Sequence, residues 1–159
     1  MGRTQQRRRE YMMGKALIIC ASVSHGNTRR VAEVMGEVLG APVMEPEEVH
    51  GLADYDLVGF GSGIFLQKFH PRLREFVSSL PRQQARAFVF ATSGLPAPRL
   101  GPMVRLLEDK GFEVTDRFSC RGFDTWAPFK PVGGIRKGRP DDTDLAAARA
   151  FTEKLKRRA

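Results

Sequence analysis

The residues of this chain best suited to chemistry lie in a short polar run that directly follows an apolar one. Residues 16–21 are continuously apolar, and a small, hydroxyl- and amide-bearing run follows, Ser22-Val23-Ser24-His25-Gly26-Asn27-Thr28. An amphipathic helical pattern begins at its end. Because the first N–H groups of a helix have no partner within it, this strand, turn and helix start predict an anion-binding site.

The composition of this turn narrows the kind of anion. The turn contains no Lys and matches neither GxxxxGK[ST] nor GxGxxG, so a Mg-nucleotide hydrolase is not indicated. Its uncharged N–H and O–H donors suit a phosphate monoester. An ordinary strand–turn–helix joint, with Ser or Asn as the helix N-cap, is the alternative that the turn by itself leaves open.

The elements that must position this turn alternate along the chain. Apolar segments predict strands at residues 15–21, 41–44, 57–62, 87–91 and 112–120. Amphipathic patterns predict helices that begin near Thr28, Pro71, Leu100 and Asp141. This alternation is typical of one doubly wound α/β domain, with a five-stranded parallel sheet and helices on both faces. Apolar runs without alternation are expected for strands covered on both faces.

Three polar, glycine-containing loops each follow a predicted strand, at residues 22–28, 62–69 and 92–98. Ligands of doubly wound sheets bind beyond the carboxyl ends of the strands. We therefore expect the three loops to form one site.

Length and composition favour one globular domain: the chain has 159 residues, 42% of them hydrophobic and 28% charged. No apolar run approaches the roughly 20 residues of a membrane span, and no apolar stretch follows the basic N-terminus as a secretory signal requires. Cys20 and Cys120 form no metal-type cluster. We expect a cytoplasmic protein without a metal site. Residues 1–13 would be a basic extension that need not be ordered, and residues 14–159 the domain.

The net charge of +8 is partly concentrated near the two ends of the chain, at Arg7–Arg9 and Lys154–Arg158. Such clusters attract nucleic acid, anionic lipid or an acidic partner. A solvated surface is the simpler interpretation. Because the sequence has no recognition motif with stacking aromatic residues, nucleic acid is not the expected partner.

The first loop, the segment Tyr55-Asp56-Leu57-Val58-Gly59-Phe60-Gly61-Ser62 and the Ser/Gly loop after Ala91 together resemble the flavodoxin family. The resemblance runs from about Lys15 to Leu155. It implies the sheet order 2-1-3-4-5 and non-covalently bound flavin mononucleotide (FMN). By this resemblance Ser22, Ser24, His25, Gly26, Asn27 and Thr28 hold the phosphate, Ser62, Gly63, Ile64 and Phe65 face one side of the flavin, and Thr92, Ser93, Gly94 and Leu95 contact the other side.

The chain differs from typical flavodoxins in two respects. It is basic rather than acidic, and its 92–98 loop contains no aromatic residue. Phe65 or Phe69 could face the flavin from the 62–69 loop. The long segment 121–140 contributes further aromatic residues that either cover the ring or pack in the core, namely Phe123, Trp126 and Phe129.

The resemblance implies a small redox protein that carries electrons between partner proteins, for which acidic partners are one expectation. No catalytic dyad or nucleophile–base pair stands out, so no catalytic residue is predicted and enzyme activity is left open. An FMN-dependent NAD(P)H oxidoreductase acting on a quinone or similar small acceptor is the first alternative, because segment 121–140 could wall a pocket. A flavin-free basic binding module on the same fold is the second.

Overall fold

The computed structural model describes residues 15–22, 26–94, 98–121 and 140–158. Several sequence predictions lie outside these residues and stay predictions. They concern the extension at 1–13, the site residues Ser24, His25 and Leu95, and the aromatic residues Phe123, Trp126 and Phe129.

Strands and helices alternate along the described chain. The strands are β1 (Ala16–Ala21), β2 (Val43–Met44), β3 (Leu57–Phe65), β4 (Lys68–Phe69), β5 (Arg86–Ser93) and β6 (Glu113–Arg121). The helices are α1 (Asn27–Leu39), α2 (Pro71–Ser79), α3 (Gly101–Asp109) and α4 (Asp142–Arg158), with a 3₁₀ turn at Pro46–Glu48.

Five of the strands form a parallel sheet in the order β2-β1-β3-β5-β6, and the two-residue β4 pairs only with β3, in antiparallel orientation. Numbering the parallel strands alone gives 2-1-3-4-5. The predicted doubly wound α/β fold is therefore confirmed. The strand order reverses at β1 and β3, so the crevice expected for a ligand lies beyond the carboxyl ends of these strands.

Both faces of the sheet carry a hydrophobic core. Leu17 and Ile19 of β1 pack on the face covered by α2 and α3, whereas Ile18 and Cys20 pack on the face covered by α1 and α4. All six residues of β1 are buried. This two-sided burial explains why the strand reads as a continuous apolar run.

Helix ends follow the local signals in the sequence. Helix α1 ends at Gly40, which has a φ of 64° in the left-handed region. Helix α4 begins with a reciprocal pair in which the Asp141 N–H donates to Asp144 Oδ2 at 2.9 Å and the Asp144 N–H donates to Asp141 Oδ1 at 3.0 Å. Both are local signals, because capping depends on residues only a few positions apart.

The segment predicted as the second loop is a β-hairpin. Strand β3 continues to Phe65, the chain turns at Leu66 and Gln67, and β4 pairs back through Ile64↔Phe69 and Phe65↔Lys68. The two turn residues have φ values of 52° and 64°. A two-residue type I′ hairpin requires positive φ at both positions, for which Asn-Gly is the usual sequence. Leu-Gln carries no such signal, so the prediction of a loop was wrong here.

The segment predicted as the third loop also begins as strand. Thr92 and Ser93 belong to β5, because the pairing of β3 with β5 continues to Gly63↔Thr92 and that of β5 with β6 to Ser93↔Arg121. Polar residues at a strand end read as loop from sequence, yet their backbones can still pair with a neighbouring strand.

Among the described helices, none combines the length and apolar character that crossing a membrane requires.

Candidate functional site

The three segments expected to form one site are in contact at the carboxyl edge of the sheet. The Thr28 Oγ1 at the start of α1 lies 2.7 Å from the Thr92 Oγ1 at the end of β5, and both residues are buried. A Cβ atom placed on Gly63 would lie 3.7 Å from the Thr28 hydroxyl and 3.8 Å from the Thr92 hydroxyl. Thr92 therefore contacts Thr28 through its side chain and pairs with Gly63 through its backbone, which joins the three segments.

The register of the parallel strands explains this contact. Ala21 of β1 pairs with Ser62 of β3, and Gly63 of β3 pairs with Thr92 of β5. Parallel strands end at the same edge of a sheet, so the segments that follow them must emerge side by side. The expected grouping of the three segments thus follows from strand order and register together.

The described part of the first segment has the backbone of an anion site. Gly26 precedes α1 with a φ of 64°, and among the described residues beyond its chain neighbours no atom lies within 4 Å of a Cβ placed there. The first turn of α1 contains no acidic residue. The N–H groups and the dipole of this helix end therefore favour a negatively charged group beside Gly26.

Ser62 has a structural role in the described geometry. The residue has no exposed surface, and its hydroxyl accepts a hydrogen bond from the His70 N–H at 3.0 Å while donating to the Gly63 carbonyl at 2.8 Å. Its hydroxyl therefore connects the end of β3 to the start of α2. Among the residues predicted to contact a flavin, Ser62 positions the segment from beneath rather than lining its surface.

The hairpin presents apolar side chains at the surface. Phe65 is 58% exposed and Leu66 69% exposed. Phe69, the other aromatic residue considered for this segment, is only 3% exposed and packs in the core with α2 and α3. Phe65 is thus the accessible aromatic residue of the hairpin.

The described part of the third segment is anchored at the neighbouring strand. Thr92, Ser93 and Gly94 are buried, and the Arg121 Nη1 donates to the Gly94 carbonyl at 3.1 Å. This bond joins the end of β6 to the backbone just after β5. It places a guanidinium group at the same edge as the two threonine hydroxyls.

A charged network at the start of the first segment was not predicted from the sequence. Glu45 Oε2 accepts hydrogen bonds from the Ser22 N–H at 3.4 Å and from the Arg72 Nη2 at 2.9 Å. The other carboxylate oxygen of Glu45, Oε1, lies 3.9 Å from the Arg29 Nη1. Arg72 also donates through Nε to Glu47 Oε1 at 2.6 Å. The available signal was the position of Glu45 directly after β2, beside the end of β1.

This network neutralises the Glu45 carboxylate, which would otherwise repel an anion bound near Ser22. Two guanidinium groups contact Glu45, so its negative charge is compensated where it approaches Ser22. The hydrogen bond from Arg72 is the main cause that lowers the pKa of Glu47 to about 2. The Glu47 carboxylate therefore stays ionised across the neutral pH range, and Glu45 is held between Arg29 and Arg72.

Two further groups have shifted pKa values. Burial, followed by the nearby charge of Arg72, lowers the pKa of His70, whose Nδ1 accepts from the Arg72 N–H at 3.0 Å as the N-cap of α2. Burial, followed by the charge of Glu45, raises the pKa of Cys20 to about 12. Cys20 is therefore a protonated core residue and not a nucleophile.

Comparison with known proteins identifies the family. A family model described as a flavodoxin domain matches residues 17–122. An uncharacterized protein of Methanocaldococcus jannaschii is 34% identical over 146 residues, which cover 89% of this chain and 97% of that relative. This chain belongs to the flavodoxin family.

Solved structures share the fold at low sequence identity. A flavodoxin from the domain Archaea superposes with a TM-score of 0.67 at 18% identity, covering 91% of this chain and 97% of that one. A flavoprotein from Lactobacillus acidophilus, solved in complex with FMN, superposes with a TM-score of 0.56 at 13% identity, covering 66% of this chain and 92% of that one.

Proposed function

We propose that this chain binds FMN non-covalently at the carboxyl edge of the sheet and carries electrons between partner proteins. The observation that carries the proposal is that Thr92 contacts the Thr28 hydroxyl and pairs with Gly63, which brings one residue of each segment together. Membership of the flavodoxin family and the FMN complex of the Lactobacillus acidophilus flavoprotein support FMN as the ligand.

The first segment suits the phosphate group of FMN. Gly26 adds no side chain at the N-terminus of α1, where N–H groups and the helix dipole favour an anion. In this proposal Ser22, Asn27 and Thr28 add polar groups around the phosphate. Ser24 and His25, which lie outside the described residues, retain the same predicted role.

The hairpin and the end of β5 suit the flavin ring. Phe65 offers an accessible aromatic face, and Gly63 leaves the edge beside it without a side chain. The backbone of residues 92–94, with Leu95 beyond the described part, would lie along the other side. When bound, the flavin supplies the redox chemistry, and the chain binds it, orients it and shields it from water.

Exposed apolar side chains at the hairpin favour the carrier function. Phe65 and Leu66 form an exposed apolar pair next to the proposed ring site. Contiguous exposed apolar surface marks contact sites for other proteins, and this pair supplies two adjacent apolar side chains to such a surface. A carrier must bring its cofactor close to a partner, and this pair lies where that contact would form.

FMN retention tests the cofactor. Purified protein is incubated with FMN, free flavin is removed, and visible absorbance is measured. Thr28→Val should weaken FMN binding by about tenfold or more, because a hydroxyl that donates to a charged phosphate contributes about 1.5–3 kcal/mol. Thr115→Val, at an exposed position on β6, is the matched control and should bind as the parent does.

Two outcomes would overturn the cofactor assignment: no flavin retained by the parent protein, or equal FMN affinity for the Thr28 and Thr115 variants. Circular dichroism of both variants separates a binding defect from misfolding.

The carrier function has its own test. Reduced, FMN-loaded protein should pass electrons to a protein acceptor such as cytochrome c. Sustained NAD(P)H oxidation by the protein alone would instead indicate a reductase.

A further inference from the structure

A second concave surface lies between the β3–β4 hairpin and α3. It is a cleft of about 310 Å³. Its apolar wall includes Phe69 and Met103, which are 3% and 2% exposed, together with Leu106 of α3. Phe69 is the one lining residue that the sequence offered as a flavin contact, and it is buried in the core; the other lining residues lie outside the predicted FMN-binding set, so we treat the cleft as a site of its own.

Three cationic side chains line the same cleft: Lys68, Arg74 and Arg99. No carboxylate is among its described lining residues. Arg74 Nε donates to the Phe69 carbonyl at 3.0 Å, which anchors the guanidinium group and leaves its other N–H groups available. Other cations behave differently, since Arg72 and Arg149 both pair with glutamates.

Lys68 and Arg99 make no ion pair within the part of the chain that the structure describes. A cluster of cations without a carboxylate partner repels itself and is stabilised by an added anion. An apolar wall beside that cluster favours an anion with an apolar body.

We propose that this cleft binds a small organic acid, whose carboxylate contacts Lys68, Arg74 and Arg99 and whose apolar body packs against Phe69, Met103 and Leu106. The volume lies at the lower end of the roughly 300–1,000 Å³ typical of small-molecule sites. A protein partner would need a broad contact of about 1,200 Å² or more. A ligand-sized concavity with a buried wall fits a small molecule better.

Binding of 2-naphthoate, measured by isothermal titration calorimetry, tests the proposal. This probe combines a carboxylate with a flat apolar body, and the neutral naphthalene-2-carboxamide has nearly the same shape. The carboxylate should bind in one-to-one stoichiometry and at least about tenfold more tightly than the carboxamide. Equal affinities for the two probes, or no binding of the acid, would overturn the proposal.

Single substitutions locate the site. Arg99→Gln and Lys68→Gln should each weaken 2-naphthoate binding by about tenfold, because each removes a charge-assisted contact. Arg105→Gln is the matched control, since Arg105 is an exposed arginine of α3 that does not line the cleft. If the Arg105 variant loses as much affinity as the Arg99 variant, the attraction is generic and the cleft is not the site.

A third variant tests the apolar wall. Leu106→Glu places a carboxylate in the cleft from a partly exposed position and should abolish 2-naphthoate binding, with folding checked by circular dichroism. Binding that persists in this variant would place the probe elsewhere.

Hexa-aspartate serves as a second ligand. If it binds with the same dependence on Lys68 and Arg99 while 2-naphthoate does not bind, the cleft recognises an acidic protein segment and the proposal fails.

All titrations are run with and without saturating FMN. The proposed acid site shares no lining residue with the FMN site, so binding of 2-naphthoate should be retained under both conditions. Failure to retain FMN would therefore overturn the proposed redox function without affecting this result. Competition between FMN and 2-naphthoate would show that the probe occupies the FMN site, and would overturn the assignment of a separate cleft.

Discussion

Glycines along strand β3 have different surroundings in the middle of the strand and near its carboxyl end. Gly59 pairs with Phe88 of β5, and Gly61 pairs with Phe90. A Cβ atom on either glycine would overlap the ring of its neighbour. At the next equivalent position Gly63 pairs with Thr92, and a Cβ atom there would make only ordinary van der Waals contacts.

This difference shows how one strand passes from core to site. Residues two apart in a strand point to the same face, so Phe88, Phe90 and Thr92 form one row along β5. The first two members cover the glycines with aromatic rings that join the core under α1 and α4. The third is a threonine, whose hydroxyl contacts Thr28 instead. The row along β5 thus changes from aromatic rings that pack in the core to a threonine hydroxyl at the polar carboxyl edge of the sheet.

The largest expected effect comes from filling the space under a ring. Gly61→Ala should lower the free energy of unfolding by about 3 kcal/mol, because the added methyl group must displace the ring of Phe90 in a packed core. Gly63→Ala, the matched change at the site end, should cost less than about 1 kcal/mol. Urea unfolding measures both. Equal losses for the two variants would contradict the distinction between packing and site glycines.

Substitutions in the turn of the β3–β4 hairpin should raise the stability of the protein. Leu66 and Gln67 adopt positive φ values, which side chains disfavour. Leu66→Asn combined with Gln67→Gly supplies the usual type I′ sequence and should raise the free energy of unfolding by about 1 kcal/mol. Leu66→Asn alone should give part of this gain. A loss of stability in the double variant, measured by thermal unfolding, would show that the turn is not of this type.

The threonine pair predicts a smaller, coupled effect. Thr92→Val should lower the free energy of unfolding by about 1 kcal/mol, because the buried Thr28 hydroxyl loses its partner. Adding Thr28→Val removes the unsatisfied group, so the double variant should recover much of the loss and approach the stability of the parent. A double-mutant cycle by urea unfolding checks this. Additive losses would mean that the two hydroxyls do not interact.

The smallest effect concerns pH. His70 has a lowered pKa in the folded chain, so the unfolded chain binds its proton at higher pH. Its contribution to stability is complete above its ordinary pKa of 6.5 and is lost as pH falls through the lowered folded pKa. Protonation of Nδ1 also removes the N-cap acceptor of α2. His70→Asn should flatten this acidic loss, measured by unfolding at several pH values, whereas His50→Asn at an exposed position should not.

Local sequence patterns were enough to predict the order of the elements and the grouping of the three segments at one edge of the sheet. Continuous apolar runs, amphipathic periods and terminal residues such as Gly40 and Asp141 act over a few positions, so they can be read locally. Because parallel strands end at one edge, the grouping of the three segments also followed from strand order. The contact of Thr28 with Thr92 agrees with that expectation.

The tertiary structure sets which side chains are accessible and which are paired. It buried Ser62 and Phe69 and exposed Phe65, and it formed the hairpin from a Leu-Gln turn without a local signal. It also joined Glu45 to Arg72 across 27 positions of the chain. These features depend on strand register and on packing between distant segments, which no local pattern specifies.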